Sequence, residues 1–223
     1  MKRSIIFDLD GTLCDTSRDL LAAANGAFET LGRDVRLDLH AVEDRATALR
    51  GGKAMLRLGL SRLGDVDEAE VDAGYQPLLA AYGARIAEHT VFYPGALDAV
   101  RRLRDRGDGV GICTNKPEGL AEQLMAALGA RDLFDALVGA DTLPVRKPDP
   151  APLAETVARV GGTPARSVLI GDTTTDRETA RAAGVPCILV TFAPGGGAVA
   201  DLRPEALLHD YADLETALEL VGL

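Results

Sequence analysis

Along most of the chain, short apolar runs alternate with stretches whose apolar residues recur at helical spacing. The runs at Ser4–Phe7, Gly109–Cys113, Ala136–Gly139, Val168–Ile170 and Cys187–Val190 are brief, and several are rich in Val and Ile. That is the pattern of strands buried on both faces of a parallel sheet. Helical patterns occupy about 95–106, 117–128, 150–161 and 176–184, with a last one near 213–221. Gly107, Gly129 and Gly184 stand where three of these helices should stop, because glycine closes a helix in the left-handed conformation at little cost. Repeated strand–helix alternation predicts an α/β fold with helices on both faces of a parallel sheet.

Residues 15–90 break this rhythm. The stretch DTSRDLLAAANGAFETLG predicts a helix with Leu20, Leu21, Ala24, Phe28 and Leu31 along one side. Further helices are expected at about 40–50, 53–63 and 67–87, and no strand until after Tyr93-Pro94-Gly95. The expected organisation is a core formed by residues 1–14 and 91–223, with an all-helical insertion at 15–90. A chain of 223 residues is long enough for a core domain and one insertion.

Composition narrows the partners. With 24 Lys plus Arg against 34 Asp plus Glu, the formal net charge is -10, which disfavours nucleic acid as a partner. No apolar stretch approaches the ~20 residues of a membrane-spanning helix. The first apolar run is broken by Asp8 and Asp10, so no signal peptide is expected. Cys14, Cys113 and Cys187 form no CxxC pair and read as reduced core residues of a cytoplasmic protein. His40, His89 and His209 are scattered and read as surface or turn residues.

In open parallel sheets, ligands bind beyond the carboxyl ends of the strands, and here those ends carry the chemistry. The first strand runs into Asp8 and Asp10, two positions apart and so on one side of an extended chain. Gly11 then permits a sharp turn. The second strand leads to Thr114, Asn115 and Lys116; Lys147 sits in VRKPDP; and GDTTTD follows the fourth strand with Asp172 and Asp176. Taken singly, Asp176 could cap the next helix, Thr114 could be a turn residue and Lys147 a solvated charge. Four carboxylates converging on one lysine instead call for a divalent cation, and oxygen ligands favour Mg²⁺.

DLDGT at 8–12, Thr114 in ICTN, Lys147 in KPDP and GDTTTD at 171–176 together resemble, in order, the four motifs of the haloacid dehalogenase superfamily. The resemblance spans the whole chain. It implies a Rossmann-like parallel sheet core, with 15–90 as a helical cap of the C1 type. CTNKPEGLA, GADTLPVRKPDPAPL and ARAAGVPCILVTF resemble the phosphoglycolate phosphatase branch.

The resemblance implies a Mg²⁺-dependent phosphomonoesterase acting on a small phosphorylated metabolite, with 2-phosphoglycolate as the expected substrate. Asp8 would be the nucleophile and form an aspartyl-phosphate. Asp10 would protonate the leaving oxygen and then take a proton from water. The Asp8 carboxylate, the Asp10 carbonyl and Asp172 would hold the cation. Thr114, the backbone near Asn115, and Lys147 would bind the phosphoryl group, and Asp176 would orient Lys147 or a metal-bound water. These roles anticipate a lowered pKa at Asp8 beside the cation and a raised one at Asp10 through crowding. In the cap, LRGGK at 49–53 resembles a specificity loop, so Arg50, Lys53 and, beside Thr114, Lys116 are expected to contact a substrate anion.

Phosphosugar phosphatases, mutases and pyrophosphatases share the motifs. A signalling receiver also gathers acids, a threonine and a lysine around a phosphorylatable aspartate, but lacks a DxDGT first strand and an insertion of this length. A hydrolytic dehalogenase would lack the acid at the Asp10 position. A monomer or homodimer is expected.

Overall fold

The computed structural model describes residues 2–223. It divides into two compact units, one formed by the chain up to Cys14 together with Phe92–Leu223, the other by Asp15–Val91. Strands are β1 (Ser4–Phe7), β2 (Cys14–Asp15), β3 (Val91–Phe92), β4 (Gly109–Cys113), β5 (Ala136–Val138), β6 (Ser167–Gly171), β7 (Cys187–Val190) and β8 (Ala206–Leu208). Helices of the inserted unit are α1 (Ser17–Thr30), α2 (Val42–Ala48), α3 (Gly52–Ser61) and α4 (Glu68–Ala84). Those of the larger unit are α5 (Ala96–Asp105), α6 (Glu118–Ala127), α7 (Ala151–Arg159), α8 (Thr174–Ala183) and α9 (Leu214–Leu220).

The larger unit is built on a six-stranded sheet in the order β5-β4-β1-β6-β7-β8, and every strand pair in it is parallel. β1 lies at the centre, with Phe7 opposite Ile112 on one side and Ile170 on the other. The chain fills one side of β1 through β4 and β5, then crosses to the other through β6 to β8. That reversal opens a crevice at the carboxyl end of β1.

Successive side chains of a strand point to opposite faces. Ile6, Cys113, Leu169, Cys187 and Leu189 accordingly join Leu153, Val157 and Ala180 from α7 and α8 in one buried cluster. Phe7 points the other way and meets Tyr211 at a ring separation of 6.4 Å. Each fully buried aliphatic side chain of this kind contributes about 1.5–3 kcal/mol relative to exposure.

Within the smaller unit, Leu20, Leu21, Ala24 and Phe28 of α1 are buried and Leu31 is half-buried, so the anticipated stripe is the packed face. Asp19 is buried with them and accepts from the Thr90 N–H at 2.9 Å and hydroxyl at 2.7 Å. That carboxylate ties the start of α1 to the segment by which the chain leaves the unit.

The structure corrects several expected boundaries. β6 is longer than the expected strand at both ends, and β5 stops at Val138 rather than Gly139. β8 was not anticipated, and β2 and β3 form a separate two-stranded sheet before Tyr93.

Candidate active site

The carboxyl ends of β1, β4 and β6 each release one polar residue into the crevice. Asp8 follows β1 and donates its N–H to the Ile170 carbonyl at 2.8 Å. Thr114 follows β4 and donates its N–H to the Val138 carbonyl at 3.0 Å. Asp172 follows β6. Backbone pairing thus continues one residue beyond β1 and β4, and the side chains that follow are held by the sheet rather than by a loop.

Two glycines make the remaining geometry possible. Gly11 has φ +83° and donates its N–H to the Cys14 carbonyl at 2.8 Å, which turns the chain sharply after Asp10. A Cβ on Gly171 would stand 2.4 Å from Asp176 Cβ. Only a bare backbone there lets Asp176 fold back against the strand end.

Asp176 is fully buried and saturated. One oxygen accepts from Lys147 Nζ at 2.6 Å; the other accepts from the Asp172 N–H at 3.3 Å and from the Thr173 N–H and hydroxyl at 3.1 and 2.6 Å. It is the third residue of a capping box in which Thr173 is the N-cap of α8. The alternative reading of Asp176 as the cap is therefore corrected: Thr173 caps, and Asp176 links that cap to Lys147.

Lys147 is buried, with Nζ 2.6 Å from Asp176 and 3.0 Å from Asp8. Burial opposes its charge, but Asp176 and Asp8 outweigh burial and raise its pKa above the ordinary lysine value. Its backbone carbonyl accepts from the Asn115 side-chain amide at 2.9 Å, so Asn115 fixes the lysine's loop.

Asp8, Asp172 and Asp176 each offer an oxygen within 4.8 Å of the others. Burial is the largest influence on Asp8; Lys147 opposes it, Asp176 and Asp10 add to it, and the pKa is raised to about 6. Asp172 is raised well above the carboxylate range by burial, then by Asp176 and Asp8. The lowered Asp8 pKa was expected beside a bound cation; without one, burial and the neighbouring carboxylates hold it above the ordinary value. Asp8 Oδ1, moreover, is buried and is met by the Lys147 ammonium at 3.0 Å without a hydrogen bond of good geometry.

A buried carboxylate oxygen engaged by an ion pair alone, beside a second crowded carboxylate, fits a hard divalent cation. Asp176 contributes least to such a site, because both its oxygens already accept from donors. Thr12 was not anticipated. Its hydroxyl donates to Asp172 Oδ1 at 3.0 Å, and its carbonyl accepts from Tyr211 Oη at 2.9 Å. The C-terminal segment thereby braces the loop that orients Asp172.

The Asp10 carboxylate stands apart from that trio and is paired with Lys116, whose Nζ lies 2.8 and 2.9 Å from its two oxygens. Thr114 Oγ1 accepts from the Lys116 N–H at 3.2 Å. In the inserted unit, Arg50 is exposed just past α2. Lys53 lies 2.5 Å from Asp72 and 5.7 Å from the centre of the Tyr75 ring. Among the described residues, no helix is long and apolar enough to cross a membrane.

Fold and site together define an α/β enzyme that gathers carboxylates and an ammonium at the central strand ends. The chain belongs to the haloacid dehalogenase-like hydrolase family, whose model matches residues 5–190. It is 38% identical over 219 residues to the phosphoglycolate phosphatase of Rhodospirillum rubrum, covering 96% of this chain and 90% of that one. It is 37% identical to the phosphoglycolate phosphatase of Pseudomonas putida, covering 100% and 85%. The fold superimposes on a haloacid dehalogenase-like hydrolase from Streptococcus pneumoniae with a TM-score of 0.81 at 22% identity, covering 96% of this chain and 97% of that one. The protein is an enzyme of the phosphatase type.

Proposed function

We propose that the protein hydrolyses 2-phosphoglycolate to glycolate and inorganic phosphate, with Mg²⁺, through an aspartyl-phosphate on Asp8. The observation that carries this reading is Asp8 itself: a buried carboxylate at the end of the central strand, with one oxygen 3.0 Å from a buried lysine. Relatives named phosphoglycolate phosphatase at 34–38% identity over 96% of the chain or more support the substrate.

Asp8 attacks phosphorus and the ester P–O bond breaks, while Asp10 gives its proton to the departing glycolate oxygen. Water then attacks the phosphorus of the aspartyl-phosphate and returns a proton to Asp10, freeing phosphate and Asp8. Lys147 and Thr114 bind the phosphoryl oxygens, with Asn115 holding the Lys147 loop, and so meet the charge that develops there. Asp8, Asp172 and the Asp10 carbonyl would hold Mg²⁺, which when bound offsets charge between the nucleophile and the phosphate. Asp176 orients Lys147. Arg50 and Lys53 are the cap's candidate partners for the substrate carboxylate.

A phosphosugar reading has one observation in its favour. CbbY from Rhodobacter sphaeroides, in complex with xylulose-(1,5)-bisphosphate, superimposes with a TM-score of 0.77 at 25% identity over 100% of both chains.

A phosphate-release panel separates the two. 2-Phosphoglycolate is expected to show at least tenfold higher kcat/KM than any sugar phosphate or pyrophosphate, with activity lost in EDTA. A sugar bisphosphate at the top of the panel overturns the substrate, and no release from any ester overturns the activity. In the same assay, Arg50→Met and Lys53→Met should raise KM for 2-phosphoglycolate. Unchanged KM in both removes the cap residues from recognition.

The raised pKa values give a second test. An acid whose folded pKa exceeds its unfolded value contributes stability at low pH, and that stability is lost as pH rises through the folded pKa. For Asp8 the window runs from about pH 4 to about pH 6. In EDTA the melting temperature should carry a downward contribution across that window. Mg²⁺ competes with those protons, so its stabilisation should amount to several degrees at pH 7.5 and vanish near pH 5. A Mg²⁺ shift of equal size at both pH values would show that these carboxylates are not its ligands.

A further inference from the structure

Asp10 and Lys116 form an ion pair that the proposed reaction leaves unexplained. Both oxygens of Asp10 are engaged by one ammonium, at 2.8 and 2.9 Å. A carboxylate held in this way is not aimed at a leaving oxygen. Lys116 is only 7% exposed, and a buried ammonium is costly without an anion. Its backbone N–H donates to Thr114 Oγ1, which keeps the residue beside Thr114 whichever anion its ammonium faces. Asp10 lies two residues beyond Asp8, and Lys116 two beyond Thr114. The pair therefore borders the place where the phosphoryl group would sit.

We propose that Lys116 latches Asp10, and that the substrate's own carboxylate replaces Asp10 on the ammonium and frees it to turn toward the leaving oxygen. The proposal rests on the reading of Asp10 as the acid and of the substrate as a carboxylate-bearing phosphoester. One anion replaces another on the same cation and no covalent bond forms in the exchange; the Asp10 carboxylate so released takes from solvent the proton that it then gives to the leaving oxygen. An ester without a carboxylate binds its phosphate but leaves the latch closed. Discrimination then falls on kcat, whereas a cation that only anchors the substrate acts on KM.

Ethyl phosphate is 2-phosphoglycolate with a methyl group in place of the carboxylate, and it is the probe. In Lys116→Met, the ratio of kcat for 2-phosphoglycolate to kcat for ethyl phosphate should fall at least tenfold. Lys116→Arg, which keeps the charge, should retain most of the ratio. Loss of both activities by one common factor, or a change confined to KM, overturns the latch. A second measurement needs no variant: tens of millimolar acetate should raise wild-type kcat for ethyl phosphate several-fold by occupying Lys116. Acetate that inhibits or has no effect overturns the proposal, and this result decides alone if Lys116→Met does not fold. Wild-type protein that releases no phosphate from 2-phosphoglycolate ends the underlying reading and the latch together. Wild-type protein that does release it, with the kcat ratio intact in Lys116→Met, ends the latch only.

Discussion

Asp8→Asn should lower kcat by roughly 10⁴-fold or more and, in metal-free buffer at pH 7.5, melt at a higher temperature than the wild type. The two effects have one cause. Asp8 is buried, and the balance of burial against Lys147 leaves its pKa at about 6 rather than the ordinary 3.8. At pH 7.5 the folded protein carries this carboxylate ionised at a cost on the order of 3 kcal/mol relative to the unfolded chain. An amide of the same shape removes that cost and the nucleophile with it. Lys147 keeps its contact with Asp176, so the substitution strands no buried ammonium. Acid-quenched reactions with labelled substrate should trap phosphate on the wild-type protein and none on the variant. Turnover within tenfold of wild type would exclude Asp8 as nucleophile. A melting temperature several degrees lower would show that Asp8 stabilises the fold. A protein that retains a destabilised carboxylate at its sheet centre is holding it for chemistry.

The parts of this architecture that were legible in the sequence are those with strong local signals. β1, β4 and β7 run where the apolar runs do, because central parallel strands are buried on both faces and show no polar alternation. β8 escaped notice because Ala206-Leu207-Leu208 is three residues long and lacks a β-branched side chain. Two-residue strands such as β2 and β3 carry no periodicity at all.

The candidate site residues stood out as motifs, but their partners in the fold did not. Thr12 and Asp172 are 160 positions apart, and Lys116 and Asp10 are 106 apart; no local pattern links either pair. The second could have been drawn from topology. β1 and β4 are parallel neighbours with Phe7 opposite Ile112, which puts the residues just past both strands side by side. Asp176 carried a readable signal as well, since Thr173 three positions earlier makes a capping box with an acid at its third helical position.

Lys147→Met should cost the fold about 3–5 kcal/mol, as removal of one partner from a buried ion pair does. For a chain of this size that is a drop of roughly 10 °C in melting temperature. The variant leaves Asp8, Asp172 and Asp176 within 4.8 Å of one another without the ammonium that lies 2.6 Å from Asp176 and 3.0 Å from Asp8. Phosphatase activity should fall with it, because the same ammonium is the positive charge nearest the nucleophile. Lys147→Arg should not restore activity: a guanidinium is wider and planar, and the pocket is shaped to a single nitrogen between two carboxylates. The stability loss and the activity loss can be separated. Adding Asp176→Asn to Lys147→Met removes the anion left without its partner and should recover part of the stability, a coupling that a double-mutant cycle measures directly. Activity should stay low in the double variant, since the charge that faces Asp8 is still missing. Additive losses in stability would mean that Lys147 and Asp176 do not stabilise one another, and recovered turnover would remove Lys147 from the reaction.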